Sequence, residues 1–290
     1  MLKNNLIKTD SKTISNFLTF DVEEWFDAEI PRRKLTFVPD ECTAIEKQTD
    51  LFIDICKRLN IKSTCFVVGK VAQKKPQIVK KLYGNGHEIA SHSYSHNLIY
   101  NMTPEIFRRD LRQSIEIVEN ITGEKIKGFR APSFSINSGI ANWFYKILEE
   151  ENIVYSSSVY PAKTFLYGMP ESPPNIHKVK DNSVIEIPLQ LLNIGILKTG
   201  VTGGTYLRVF PKWLIKRFII NKNKNGKNIF IYIHPWELLY QRYPVNLSLS
   251  ESIIQYWGIR RNLSKIENLC TQLKGTFKRI DQFVEELNLI

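Results

Sequence analysis

The chain has no long apolar run. Nothing in its 290 residues approaches the ~18 consecutive apolar side chains that a membrane-spanning helix needs. The opening stretch MLKNNLIKTDSKTISNF has no apolar centre of secretory-signal length, so a soluble cytoplasmic protein is expected. Cysteine is scarce: Cys42, Cys56, Cys65 and Cys270, with no CxxC pair. Three of them sit in or beside apolar periodic segments, which points to free buried thiols and not to disulfides. Internal repeats, low-complexity tracts and a clear interdomain linker are missing, so a single domain over 1–290 is expected.

Carboxylates are outnumbered. There are 29 Asp and Glu against 40 Lys and Arg, a formal net charge of +11. Such an excess suits nucleic acid, a membrane surface or a phosphorylated substrate, or is scattered over a solvated surface. The second reading is adopted, with no nucleic-acid partner. The segment PKWLIKRFII at 211–220 argues the other way. It reads as a helix with proline at its first turn, carrying Trp213, Leu214 and Phe218 beside Lys212, Lys216 and Arg217. It is taken as a core-facing helix with a charged outer side, allowing at most peripheral membrane contact.

Strand-like and helix-like segments alternate. Strands are expected at 17–21, 63–68, 87–90, 125–129, 153–155, 183–189, 204–209 and 228–233. Helices are expected at 43–59, 71–83, 103–122, 138–150 and 211–221, with one or two more in the tail. Thr103 and Pro104 supply the cap and first position of the long helix. The period breaks at about 161–182, which reads as a surface insertion. This alternation is that of an α/β protein with a parallel sheet, closing into a β/α barrel if it repeats often enough.

Histidine is scarce and informative, with five in the chain. His92 and His96 lie four apart in HSYSH, with His87 just upstream and His234 at the end of a late apolar run. Helical spacing would put the 92/96 pair on one face, although the serine after His92 suggests a cap or loop turning into a helix. Two imidazoles and a carboxylate suit a divalent metal with an open position. Asp21 and Glu23 project to the same side of an extended segment. One can bind a metal while the other accepts a proton, or both form a solvated acidic strand end. His87 reads as structural. Arg130, ending a strand before Ala-Pro, can hold a carboxylate or lie in a surface turn. His234, followed by Pro-Trp-Glu, suits a general acid or a satisfied core histidine. Apart from His87, which opens its strand, these positions fall at carboxyl ends of expected strands, where α/β folds collect their chemistry.

The ordered blocks TFDVEEW, HEIASHSYSH, GFRAPSFS, VYSSSVYP and IYIHPWEL resemble the polysaccharide deacetylases of the carbohydrate esterase group. The likeness is greatest to the subgroup from exopolysaccharide and surface-glycan loci, through TGGTYLRVFPKWL and HPWEL as well. It covers about 17–245, leaving 246–290 as a helical C-terminal extension. The resemblance implies a distorted barrel of about seven parallel strands and hydrolysis of an acetyl group from an N-acetylated sugar or glycan intermediate. Asp21 would match the general base, Glu23, His92 and His96 the metal ligands, Arg130 the partner of Asp21, and His234 the acid. The backbone N–H near Ser133 would hold the oxyanion. A divalent metal is implied, zinc first, with cobalt, manganese or nickel as substitutes. Trp25, Tyr94, Phe134, Tyr206 and Trp236 are candidates for stacking on sugar faces. The substrate expected for a cytoplasmic enzyme is nucleotide- or lipid-linked. Two departures stand out. Glu23 replaces the family's usual Asp, with Glu24 a rival. Ser156 replaces an Asp thought to support the acid histidine, which implies a less well oriented His234. That departure leaves room for a catalytically silent glycan-binding barrel, and a metal-independent amide hydrolase is the other alternative.

Overall fold

The computed structural model describes residues 14–36, 44–164, 168–195 and 197–287, so the N-terminal stretch to residue 13 and Cys42 lie outside the described residues. The strands are β1 (Phe17–Val22), β2 (Thr64–Val67), β3 (Glu88–Ser91), β4 (Gly128–Phe129), β5 (Tyr155–Ser156), β6 (His177–Lys178), β7 (Ile185–Glu186), β8 (Leu192–Ile194), β9 (Leu197–Thr199) and β10 (Phe230–Ile233). The helices are α1 (Glu29–Lys34), α2 (Ile45–Leu59), α3 (Gly69–Lys74), α4 (Pro76–Gly84), α5 (Pro104–Thr122), α6 (Ala141–Glu150), α7 (Gly204–Val209), α8 (Lys212–Lys224), α9 (Leu249–Tyr256), α10 (Ile259–Gln272) and α11 (Ile280–Glu286).

Eight strands form one sheet in the order β10-β1-β2-β3-β4-β5-β7-β6. Seven are mutually parallel, and β6 runs antiparallel on β7. The sheet curls into a half-barrel with helices around it, the architecture the alternating pattern predicts. Strand parity divides its two faces. Leu18, Phe20 and Val22 of β1 join the larger core under the helices, where Phe20 stacks on Phe52 of α2 at 4.1 Å. The other parity of β1, Phe17, Thr19 and Asp21, faces inward, where Phe17 packs with Phe66, Tyr155, Phe230 and Tyr232. The same alternation continues outward from three strands. Glu88 and Ala90 lead to His92, Phe230 and Tyr232 lead to His234, and Phe17 and Thr19 lead to Asp21. The inward face therefore delivers all three side chains to one rim.

Four expectations need correction. The segment 204–209 is the helix α7 and not a strand. Its alternating TYLRV reads as extended, but Gly204 takes φ +56°, which turns the chain and lets Leu207 enter the core. The helix expected at 71–83 is two, α3 and α4, because Pro76 cannot donate to the preceding turn. The segment 161–182 is not wholly a surface insertion: it contributes β6 and buries Ala162, Ile176 and His177. The tail holds three helices, and they return to the barrel. Phe283 of α11 meets Phe17 at 5.1 Å, and the Ile280 N–H donates to Thr64 Oγ1 at 2.9 Å. The described cysteines Cys56, Cys65 and Cys270 are free and buried, as expected.

Candidate active site

Asp21 closes β1, and its carboxylate is buried. Thr19 and Asp21, two apart on the same face, both accept from Nη1 of Arg130, at 2.9 and 2.6 Å. Arg130 follows β4 and is 1% exposed. Its guanidinium lies 4.0 Å from the Phe66 ring centre and 4.7 Å from that of Phe230. Its Nε and Nη2 donate to the carbonyl and hydroxyl of Ser157 at 3.3 and 3.1 Å. A planar cation between two rings with donors spent on β1 and β5 cannot rotate, so it fixes the orientation of Asp21.

Glu23 sits just past β1 and meets both imidazoles. Its Oε2 lies 3.1 Å from His92 Nε2 and also contacts His96 Nε2. Ligand atoms of Glu23, His92 and His96 lie within 4.8 Å of one another, and all three residues are buried. Glu24 is buried beside them but is not part of this cluster. Burial opposes ionisation of Glu23, but His96, His92 and His234 outweigh it and hold its pKa well below the usual carboxylate range. Burial likewise opposes a charged His96, and the Glu23 carboxylate turns that into a raised pKa.

The two histidines do not share a helix face. Residues 92–98 form a tight loop in which Ser93 and His96 take left-handed backbone, φ 63° and 53°. Side chains and a close glycine hold this loop. The Ser93 hydroxyl accepts the His96 N–H at 2.9 Å. Asp110 of α5 accepts the N–H groups of Tyr94 and Ser95 at 2.7 and 3.0 Å. Gly69 has no side chain to strike Tyr94, whose Cδ2 would lie 2.8 Å from a Cβ there. His92 Nδ1 lies 2.7 Å from the Arg130 carbonyl, which leaves Nε2 for the centre. The donor set fits a divalent metal. Two imidazole nitrogens and one carboxylate converge, each imidazole presenting Nε2, and the buried His96 Nε2 faces Glu23 with no hydrogen bond of normal geometry.

His234 completes the rim. Its Nε2 lies 4.0 Å from Asp21 Oδ2 and 3.7 Å from Glu23 Oε1. Its side chain is 18% exposed, against 3–5% for Asp21, Glu23, His92 and His96, so the site opens on this side. Its Nδ1 lies 3.0 Å from Glu237 Oε2, and Glu237 Oε1 accepts from Arg208 Nε at 2.8 Å. Burial alone would lower the His234 pKa, but Glu237, with Glu23 and Asp21 behind it, lifts it to about 9.

Glu237 and Arg208 are absent from the candidates picked out in the sequence. The available signal was spacing: a residue, then proline, then glutamate at the third position is a capping pattern. The Glu237 carboxylate indeed also accepts the His234 N–H at 3.1 Å. Ser156 has no contact with His234. Its hydroxyl donates to Ser158 Oγ at 2.8 Å, and Ser158 Oγ accepts the Ala131 N–H at 2.9 Å. The expectation that its missing charge leaves His234 poorly oriented is corrected by Glu237.

The aromatic candidates divide. Trp25 is buried, stacked on Tyr243 at 4.4 Å. Trp236 is buried and lies flat on the His234 ring at 4.7 Å. Phe134 is buried against Phe230 and Tyr232. These three are packing and cannot offer a face to a sugar. Tyr206, Tyr94 and Ser133 are half-buried, and Ser133 and Phe134 both take left-handed backbone at φ 51°. His87 is structural, as expected, with Nδ1 2.8 Å from Ser63 Oγ at the far end of the barrel.

A family model described as polysaccharide deacetylase matches residues 10–146, and one described as a domain of unknown function (DUF3473) matches 157–285. The chain is 32% identical over 95 residues to the peptidoglycan-N-acetylglucosamine deacetylase of Bacillus cereus, covering 33% of this chain and 34% of that one. It is 30% identical over 92 residues to chitin deacetylase 1 of Cryptococcus neoformans var. grubii, covering 32% of this chain and 20% of that one. The match thus spans about a third or less of these relatives. A solved structure from Mycobacterium smegmatis, assigned as a polysaccharide deacetylase, superimposes with a TM-score of 0.65 at 20% identity, covering 99% of this chain and 95% of that one.

Proposed function

Since the chain belongs to the polysaccharide deacetylase family, we propose that it is a metal-dependent hydrolase that removes the acetyl group from an N-acetylated sugar of a surface glycan or of its nucleotide- or lipid-linked precursor. One observation carries this reading. The buried ligand atoms of Glu23, His92 and His96 converge beside a carboxylate, Asp21, and a partly open imidazole, His234. Two acid–base groups flanking a three-ligand cluster are what amide hydrolysis requires, since one proton must leave water and another must reach the departing amine.

Glu23, His92 and His96 would hold the cation, with zinc the best match to two nitrogens and one oxygen and cobalt, manganese or nickel able to take the same donors. When bound, the cation acts as a Lewis acid toward water and the acetyl carbonyl. The remaining work belongs to side chains. Arg130 holds Asp21 Oδ1, which leaves Oδ2 to take a proton from water as its oxygen adds to the acetyl carbon. His234, kept in place by Glu237 and by the Trp236 ring, gives its proton to the sugar nitrogen as the C–N bond breaks. The products are acetate and a free amino sugar. A backbone N–H at the Ser133 turn is the candidate donor to the developing oxyanion.

The test is acetate release from N-acetylglucosamine oligomers and from a nucleotide-linked N-acetyl sugar, using protein stripped with a chelator and then reloaded. Acetate that appears only with metal supports the reading. Metal-loaded protein that releases none from any of them would reject deacetylation. Release that survives stripping would reject the metal.

A further inference from the structure

Among the described residues, most of the exposed large apolar side chains fall on α7, on α8 and on α9 with the residue that follows it. Helix α9 carries Leu249 and Ile253 one helical repeat apart, 81% and 49% exposed, with Ile254 beside them at 45% and Trp257 just past its last residue at 60%. Val209 ends α7 at 52%, and Trp213, in the first turn of α8, is 66% exposed. This departs from the expectation that Trp213 faces the core. Phe218, Ile215 and Ile219 take that side of α8, and Trp213 points away.

These residues share one rigid body. Arg208 donates to the carbonyls of Ile254, Gln255 and Trp257 at 2.9–3.0 Å, which ties the last turn of α9 to α7. Gly258 packs so closely on Arg208 that a Cβ there would lie 2.9 Å from the Arg208 carbonyl oxygen. Lys265 of α10 caps the end of α7 through the carbonyls of Leu207, Arg208 and Phe210 at 2.8–2.9 Å. Trp257 therefore stands next to Val209, and Trp213 follows four residues later.

Charge says what covers this face. Residues 187–266 hold twelve Lys and Arg against two carboxylates, Glu237 and Glu251, so ten of the chain's net eleven positive charges fall in the segment that supplies this face. Glu237 is buried on Arg208, and Glu251 pairs with Lys34 at 3.1 Å. Lys212, Arg217, Arg260 and Arg261 are exposed, and among the described residues none has a carboxylate partner. We infer that this face of α7, α8 and α9 docks on an anionic lipid surface. The indoles and aliphatic side chains enter the headgroup boundary while the surrounding cations meet lipid phosphates. Aliphatic side chains of this kind have no counterpart on a nucleic-acid backbone. No described helix is long and apolar enough to cross a membrane, so the contact is peripheral. Arg208 also bonds Glu237 behind His234, which links this face to the candidate site through buried side chains. The inference does not depend on the catalytic reading, because binding is measured without turnover.

The test is co-sedimentation of the full chain with phosphatidylcholine vesicles, with and without phosphatidylglycerol. Binding is expected only with the anionic lipid and should weaken as salt rises. Replacing Trp213 and Trp257 by serine should weaken it roughly tenfold per indole. Neutralising Lys212 and Arg217 to glutamine should weaken it about fivefold per charge. Both pairs lie on the surface and should leave thermal unfolding unchanged, which checks that each variant is folded. Equal binding to both vesicles, or variants that bind like the parent, would overturn the inference. So would a dimer in solution that Trp257→Ser dissociates, since the face would then belong to a second copy.

Discussion

The Nδ1 of His234 lies 3.0 Å from a carboxylate oxygen of Glu237, and Arg208 holds the other oxygen of that carboxylate at 2.8 Å. The residues lie three apart on a single 3-10 turn, Pro235–Glu237, so the histidine carries its own orienting group. Hydrogen bonding at Nδ1 sets the tautomer and leaves Nε2 toward Asp21 and Glu23. Burial works against protonation, and Glu237 is the largest influence opposing it, with the pKa at about 9.

Glu237→Gln should therefore lower the His234 pKa and move the alkaline limb of kcat/KM toward neutral. The acid would be lost earlier as pH rises. Turnover at pH 7 should fall roughly tenfold or more, and Glu237→Asp should recover part of it. A pH–rate profile of the three proteins decides the matter. An alkaline limb that stays in place in Glu237→Gln would remove Glu237 from this role.

Metal binding and turnover should separate by residue. His96→Ala and Glu23→Gln should each lose stoichiometric metal by elemental analysis and lose acetate release with it. Asp21→Asn should keep the metal, because Asp21 is outside the three-ligand cluster, and lose activity by ~10²-fold or more. A fully active Asp21→Asn protein would disprove the general-base assignment.

Much of this site was legible because strand parity is a local property. Asp21, His92 and His234 each continue an alternation that begins with inward residues, and the strands are apolar enough to be recognised. Arg130 was visible as a lone cation ending a strand. The loop geometry was not readable. The 92–96 spacing suggested a helix, but Ser93 and His96 adopt left-handed backbone stabilised by Asp110, fourteen residues downstream of His96. Glu237 was missed because its partner Arg208 comes from a segment that reads as a strand and folds as a helix. Burial of Trp25 and Trp236 was equally hidden, since an aromatic next to a motif looks the same whether it lines a cleft or packs behind it.

Ser156 offers a direct test of what replaces the family's usual carboxylate. It lies opposite Glu186 in the parallel ladder, fully buried, and Glu186 already accepts the N–H groups of Ser158 and Val159 at 2.8 and 3.0 Å. A second carboxylate at 156 would face this one without a cation of its own. Ser156→Asp should lower stability by about 2–3 kcal/mol in urea unfolding and leave the alkaline limb of activity unmoved. A gain in turnover would mean that His234 does draw on position 156.

The far end of the barrel carries a different pH response. Glu88 is buried at the start of β3, where Tyr155 Oη and Thr64 Oγ1 each donate to it at 2.6 Å and the Asp281 N–H at 3.1 Å. Burial, followed by the nearby Asp281 carboxylate, raises its pKa from 4.5 to about 7 despite these donors. The folded state therefore binds a proton that the unfolded chain has released between these two values. The stabilisation from Glu88 is complete below about pH 4.5 and is lost as pH rises through about 7. Integrated over that window the linkage is at most ~3 kcal/mol. Glu88→Gln keeps the size and stays neutral, and the Tyr155 and Thr64 hydroxyls can turn to accept from its amide. Urea unfolding between pH 5 and 8 should show stability falling in the parent and a flatter curve in the variant, with the variant the more stable at pH 8. Parallel curves would show that Glu88 titrates alike in both states and that its burial is offset by the three donors.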